Sequence, residues 1–202
     1  DDAQQVGEDA DVEAPLPALQ IHNSYLVVES EEGLLIVDQH ALHESVLYQQ
    51  FRKRLDAGAI PRQRLLVPQV VNLSSQQMAQ LEPLRDTLSR LGVETEPIGP
   101  QSIGVHSLPA LTDGIDAGEL IEELLARVDE YTNPQSSELV DHVIQSLSCE
   151  AAVKAGDPLK PEEIQSLLGQ RKTSELTSSC PHGRPTALRM SLKELNKKFQ
   201  RT

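Results

Sequence analysis

The sequence predicts a mixed α+β fold, and three observations carry that prediction. Short β-rich runs at both ends of the chain are interleaved with segments of helical periodicity. Gly, Pro and capping residues punctuate them at the length of ordinary elements. No internal repeat unites them. The 202 residues fit one large domain or two small ones. Hydrophobic residues make up 38%, with two Phe, three Tyr and no Trp, so core packing falls to Leu, Val and Ile.

Residues 1–17 are acidic and Pro-bearing and read as the end of a disordered linker. The run 21–30 is β-rich around Tyr25-Leu26-Val27-Val28; Glu31-Glu32-Gly33 signals a turn and Leu34-Leu35-Ile36-Val37 a second strand, together a hairpin. A helix fits 42–55, with Leu47, Phe51 and Leu55 spaced by four; Gly58 and Pro61 end it. Residues 65–73 read as a strand interrupted by Pro68. Ser74 or Ser75 caps a helix to Leu91, divided at Pro83 and stopped at Gly92. Two short strands flank Gly99-Pro100. Asp116 caps a helix to Tyr131, broken at Asn133-Pro134, and a further helix fits 137–155 before Gly156. Pro161 opens another at its favoured first turn, to about Arg171. Residues 186–190 fit a strand, and Ser191 caps a last helix. The stretch 69–136 lacks residues of obvious chemistry. It fits a lobe inserted into a domain built from both chain ends.

The net charge is −13. Such a surface is not a nucleic-acid footprint as a whole, because footprints are basic; contact with DNA needs a local site or a partner. No apolar run approaches the ~18 residues of a membrane span. Two cysteines are too few for a disulfide scaffold, and without an export leader they are expected as reduced thiols. The chain opens Asp1-Asp2-Ala3-Gln4 without an initiating Met, which reads as a piece of something longer.

Three stretches hold residues suited to chemistry. In the first, Asp38-Gln39-His40-Ala41-Leu42-His43-Glu44, Asp38 stands where a strand meets a helix, and His40 and Glu44 are one turn apart on one helix face. Imidazole and carboxylate at that spacing can chelate a divalent ion; a capping Asp, a surface His and a solvated Glu fit equally. In the second, Cys180-Pro181-His182-Gly183-Arg184-Pro185, Cys and His two apart point the same way in extended chain, and both ligate Zn²⁺. A plain turn with a buried Cys fits as well. Arg184 is placed to hold a phosphate. In the third, Cys149 shares a helix face with Ala152 and Val153 and reads as a small core residue when taken alone. Jointly, Asp38, His40, Glu44, Cys149, Cys180 and His182 bring six ligand-type side chains from three segments. His43 adjoins them, either on the surface or orienting a ligand. His22, His106 and His142 have no assigned role.

The Tyr25–Glu44 stretch, with its Asp38-Gln39-His40-Ala41 and Glu44, resembles the C-terminal domain of the MutL family of DNA mismatch-repair proteins. That family's endonuclease motif runs Asp-Gln-His-Ala, two residues, Glu, four residues, Glu. Ser148-Cys149…Ala152-Val153-Lys154-Ala155 is similar to its second motif, and Cys180-Pro181-His182-Gly183-Arg184-Pro185 to its third. The resemblance spans about 18–202. It implies a metal-dependent DNA nicking endonuclease. It also implies a homodimer formed through a lobe from 18–68 and 137–202, with a regulatory lobe at 69–136. By position, Asp38, His40, Glu44, Cys149, Cys180 and His182 match the metal-site residues, with catalysis near Asp38, His40 and Glu44. A structural or regulatory zinc is implied, with Mn²⁺ or Mg²⁺ as the catalytic ion. Arg184 and Lys154 are the implied phosphate contacts. The ATPase part lies outside this sequence. A mismatch-recognition protein would be engaged through the longer chain, in a bacterial, cytoplasmic, nucleoid-associated setting. The acidic charge implies weak DNA binding in isolation.

Two positions depart from the family pattern. The motif's last Glu falls at Gln49, five residues past Glu44 and off its face, which marks it as supportive or peripheral. Glu150 follows Cys149 where a basic residue is common. Finally, Gln63-Arg64-Leu65-Leu66-Val67-Pro68 is similar to the segment by which bacterial members bind the replication sliding clamp. Gln63 would offer its amide, and Leu65, Leu66 and Pro68 an apolar anchor. The rival reading of the whole is a non-enzymatic dimerisation module with a structural zinc.

Overall fold

The computed structural model describes residues 17–58, 60–112, 114–126, 137–173 and 179–201. Expectations for 1–16, and for the helix end at Tyr131 with its Asn133-Pro134 break, lie outside the described residues.

The fold is mixed α+β, with two antiparallel sheets. The first contains β1 (Ala18–Ile21), β2 (Tyr25–Ser30), β3 (Gly33–Asp38) and β7 (Ala187–Ser191), in that spatial order. It therefore joins the two ends of the sequence. β2 and β3 form the expected hairpin. The single β-rich run expected over 21–30 is corrected: Ile21 ends β1, and the polar His22-Asn23-Ser24 turns the chain into β2. The chain reverses at His22 and Asn23, both at positive φ (51° and 47°), and the turn closes with Ser24 N–H donating to Ile21 O at 3.1 Å. One sheet face turns Leu26, Val28 and Val37 inward, onto Leu42 and Val46 of α1 (Gln39–Asp56) and Ile164, Leu167 and Leu168 of α6 (Pro161–Thr173). α7 (Leu192–Lys198) closes the sequence with a capping box, Ser191 and Glu194 each bonding the other's backbone N–H.

The second sheet has the order β4-β6-β5: β4 (Arg62–Asn72), β6 (Ser102–Pro109) and β5 (Glu94–Gly99). Its core takes Val71, Ile103 and Val105 from the strands, Leu81 from α2 (Ser75–Leu81), and Leu88 from α3 (Arg85–Arg90). It also takes Leu120, Ile121 and Leu124 from α4 (Ala117–Ala126), and Leu139, Val143 and Leu147 from α5 (Ser137–Ala151). Pro83 divides α2 from α3 through a 3₁₀ turn at Glu82–Leu84, as a missing N–H requires. α1 serves both cores: Leu42 and Val46 pack under the first sheet, and Phe51 packs with the second group. The boundary expected at 68/69 falls inside β4. There the pairing with β6 breaks between Arg64 and Gln69, and Leu66 stands fully exposed. Among the described residues no helix is long and apolar enough to cross a membrane.

The close approach of β3 to β7 depends on Gly33. Its φ is +143°, and a Cβ there would meet Met190 O at 2.2 Å. Gly33→Ala is expected to cost about 3 kcal/mol through backbone strain and clash. Gly58→Ala, at φ +84° with open space around it, is expected to cost only about 1 kcal/mol. Urea denaturation midpoints of the two variants against wild type check this.

Candidate metal centre

β3 runs directly into α1, so Asp38, His40 and Glu44 occupy a strand end and the first two helical turns. Asp38 is the N-cap: its Oδ1 accepts from Ala41 N–H at 3.0 Å. This cap starts the helix three residues before the apolar periodicity does. Gln39 is wholly buried. Its side-chain NH₂ donates to the carbonyls of Asn23 (2.8 Å), Lys154 (3.2 Å) and Asp157 (3.2 Å), and its Oε1 accepts from Gln20 Nε2 at 2.7 Å. One amide thus ties the β1–β2 turn, the start of α1 and the segment after α5.

His40 and His43 grip the same residue. His40 Nδ1 lies 3.0 Å from Val153 O, and Val153 N–H donates to His43 Nδ1 at 3.1 Å. A carbonyl can only accept, so His40 carries its proton on Nδ1 and keeps the Nε2 lone pair for a ligand. Burial, then the neighbouring His40, hold the His43 pKa below its ordinary value, as its acceptor role requires. His43 is therefore half-buried and structural rather than a surface residue. These bonds also explain why α5 stops at Ala151, short of the expected 155. Val153 is taken by the histidines, and Lys154 N–H donates to Asp157 Oδ2 at 2.9 Å.

Glu44 is 1% exposed. Facing it is the turn at 179–185, closed by a Ser179–Pro185 bridge, by Cys180 N–H donating to Arg184 O at 2.8 Å, and by Gly183 at φ +78°. Ser45 Oγ donates to Ser179 O at 3.4 Å, holding this turn to α1. The ligand-type atoms of Glu44, Cys180 and His182 all lie within 4.8 Å of one another. His182 Nδ1 is 2.5 Å from Glu44 Oε1, but the contact lacks hydrogen-bond alignment, and Glu44 Oε1 is a buried oxygen with no hydrogen-bond partner. A buried carboxylate oxygen left so is costly unless a cation satisfies it. Oxygen, nitrogen and sulfur converging on it are a donor set that zinc accepts. Burial, chiefly, raises the Cys180 thiol pKa, and a bound metal would lower it again.

Cys149 lies instead with Glu123 of α4 and its own neighbour Glu150, their ligand-type atoms also within 4.8 Å of one another. Burial, then the carboxyls of Glu123 and Glu44, push the Cys149 thiol up to about 11. Burial, then Glu150, push Glu123 up to about 7. Glu123 was not legible as a site residue, because it sits in an amphipathic helix of the stretch without obvious chemistry. Lys154 Nζ is 3.2 Å from Glu150 Oε2 and 3.3 Å from Cys149 O. Arg184 is exposed. Neither three-residue cluster includes Asp38 or His40 among the described residues. Gln49 is outside both as well, and its Nε2 is buried without a hydrogen-bond partner. Both cysteines are free thiols.

Residues 18–159 match the family model described as "MutL C terminal dimerisation domain". The chain belongs to the MutL family. It is 34% identical over 184 residues to the "DNA mismatch repair protein MutL" of Rhodopseudomonas palustris, an alignment covering 90% of this chain and 31% of that protein. To the protein of the same name from Bartonella bacilliformis it is 36% identical, over 90% of this chain and 30% of the relative. To that of Brucella anthropi it is 34% identical, over 99% and 33%. The chain thus spans about a third of the length of these MutL relatives, and the part it matches is the C-terminal dimerisation domain.

The MutL motif residue Gln39 has a structural role that spacing alone did not reveal. Gln39→Ala removes the bonds of a wholly buried amide to the Asn23, Lys154 and Asp157 carbonyls and to the Gln20 amide, and is expected to cost about 3 kcal/mol. Urea unfolding monitored by circular dichroism checks that loss.

Proposed function

We propose that this chain is the nuclease and dimerisation domain of a MutL protein, and that Asp38, His40 and Glu44 serve metal-dependent nicking of DNA. The observation that supports this reading is the convergence of the buried Glu44 carboxylate, Cys180 and His182, their ligand-type atoms within 4.8 Å of one another. Glu44, Cys180 and His182 would hold a zinc of structural or regulatory role. Cys149, whose thiol feels the Glu44 charge, would join that zinc set, and Asp38 and His40 would take part in holding the catalytic Mn²⁺ or Mg²⁺. When bound, a divalent ion supplies a Lewis acid for the phosphoryl oxygen and lowers the pKa of a water.

The chain's own groups prepare that chemistry. Val153 fixes the His40 ring and its tautomer, leaving Nε2 outward. Asp38 Oδ1 is occupied by the helix cap, and Oδ2 makes no hydrogen bond among the described residues. Exposed Arg184 would position a phosphate near the 180–182 turn. Lys154 is engaged with Glu150, which weakens its case as a second phosphate contact. The net charge of −13 calls for help in holding DNA, and a clamp and the rest of a MutL chain would raise local concentration. A mismatch-recognition protein would act through that longer chain.

The outer face of the first sheet supports a homodimer. Leu19, Val27, Ile36 and Leu188 are paired in one register row across all four strands, with Leu19 64% and Leu188 61% exposed. An apolar row of this kind needs cover, and a second copy provides a self-complementary one. The β4 irregularity supports clamp binding. It presents Leu66 and Val67 to solvent beside exposed Gln63 and Pro68.

The decisive experiment is nicking of supercoiled plasmid with Mn²⁺ by the full-length protein and clamp. Asp38→Asn is expected to lower the rate about a hundred-fold or more, with bound zinc and melting temperature unchanged. Equal nicking by both proteins excludes the role given to Asp38. Absence of nicking by wild type favours a dimerisation module with a structural zinc. Separately, Gln63→Ala with Pro68→Ala is expected to weaken clamp affinity about ten-fold, without change in the unfolding midpoint. An unchanged dissociation constant removes the clamp reading.

A further inference from the structure

The charge of −13 is not spread evenly along the chain. Residues 184–201 hold six of the 18 basic residues, Arg184, Arg189, Lys193, Lys197, Lys198 and Arg201, against a single acid, Glu194. We propose that these six side chains form a docking track for the phosphates of duplex DNA, running from the turn that faces Glu44 along β7 to α7. The inference rests on the reading of this chain as a DNA-acting MutL domain, and it supplies the local site that so acidic a chain needs.

The fold sets these charges in order along one edge of the first sheet. Arg184 stands in the 179–185 turn, and β7 leads away from it as an edge strand paired to β3. The five residues of β7 span about 17 Å, a length that one DNA strand covers in about five phosphates. Arg189 projects midway. α7 follows at the far end, held there by Leu192 N–H donating to Glu32 O at 2.9 Å. Within α7, Leu192, Leu195 and Phe199 share one face, and the exposed Lys193, Lys197 and Lys198 stand away from it. Burying that apolar face against a partner therefore leaves the lysines in solvent. The chain then turns back through Gln200 at φ +55°, and Arg201 N–H donates to Asn196 O at 2.8 Å, which sets Arg201 against the last helical turn.

Few acids answer these charges. Glu194 is committed to the helix cap, its Oε2 accepting from Ser191 N–H at 2.8 Å and from Ser191 Oγ at 2.7 Å. Among the described residues the one ion pair in the track joins Arg189 to Glu32 at 3.4 Å, with 71% and 83% of the side chains exposed. Water screens such a pair, so a phosphate can displace the carboxylate. Glu29 and Glu31 line the same groove as Arg189, so Arg184 and α7 carry most of the track's charge. Lysines on a helix surface meet phosphates without reading bases, so the track positions a duplex and confers no sequence preference.

The test is fluorescence anisotropy of a labelled DNA duplex titrated with the full-length protein, without divalent ions or nucleotide, over a series of KCl concentrations. Wild type is expected to bind at low salt, with log affinity falling linearly against log salt concentration. Lys193→Gln combined with Lys197→Gln and Lys198→Gln is expected to weaken low-salt binding about ten-fold or more. The same variant is expected to lower the slope by about 2 to 3, since each phosphate contact contributes about 0.9. Arg184→Gln alone is expected to lower it by about 1. A control removes three exposed charges elsewhere, through Lys53→Gln, Arg90→Gln and Lys160→Gln, and is expected to keep the wild-type slope. Both triple variants alter exposed side chains and are expected to melt with wild type. Equal losses in the two triple variants overturn the proposal, because net charge alone then sets the affinity. An unchanged slope in the α7 variant overturns it, and so does absence of wild-type binding at low salt. Preference of wild type for vesicles of anionic phospholipid over the duplex overturns it as well. No cutting enters this measurement. Failure of the plasmid to be nicked therefore leaves the track standing, and loss of the track leaves the metal-centre reading standing.

Discussion

One buried amide sets the geometry on which the rest depends. Gln39 has no exposed surface and joins three backbone segments distant in sequence: the turn at His22-Asn23, the start of α1, and residues 154–157 after α5. Its hydrogen bonds are made in a low-dielectric interior, where an unmet partner costs far more than in water. His40, next to it, is thereby held against Val153 just beyond α5, while Asp38 N–H donates to Thr186 O at 3.0 Å. The histidine pair on Val153 is a consequence of the same docking.

Burial sets the electrostatics of the candidate site. Glu44 is nearly wholly buried with an oxygen lacking a hydrogen bond, and both thiols are pushed towards their neutral form chiefly by burial. Each of these costs is removed by one kind of partner, a cation with affinity for oxygen, nitrogen and sulfur. In a chain of net charge −13, such a cation would balance the acidic site, and DNA, under the proposed reading, would need an additional attachment. The β4 irregularity and the outer face of the first sheet supply apolar surfaces suited to attachment and pairing.

α1 links these groups mechanically. Its first half packs under the first sheet and carries Glu44; its second half buries Phe51 in the other core. Arg52 and Tyr48 bond Asp141 of α5 at 2.5 and 3.2 Å, so the two helices that carry Glu44 and Cys149 are tied side by side. Displacement of α4 or α5 would reach the donors directly, since helices packed at native density transmit shifts.

Much of this was legible in the residues themselves. The Pro83 break, the Ser74 and Ser191 caps, the Gly33 turn and the Pro161 helix start follow from local backbone chemistry that needs no partner. The donor types were legible too, because few side chains bind metals and both cysteines stand in motif stretches. Tertiary structure decided what proximity decides. It separated β1 from β2, ended α5 early on two histidines, buried Gln39 and His43, and brought Glu123 to Cys149. Periodicity describes the environment along one element. Which faces meet is set by packing between elements far apart in the chain, and so these pairings arise only in the folded molecule.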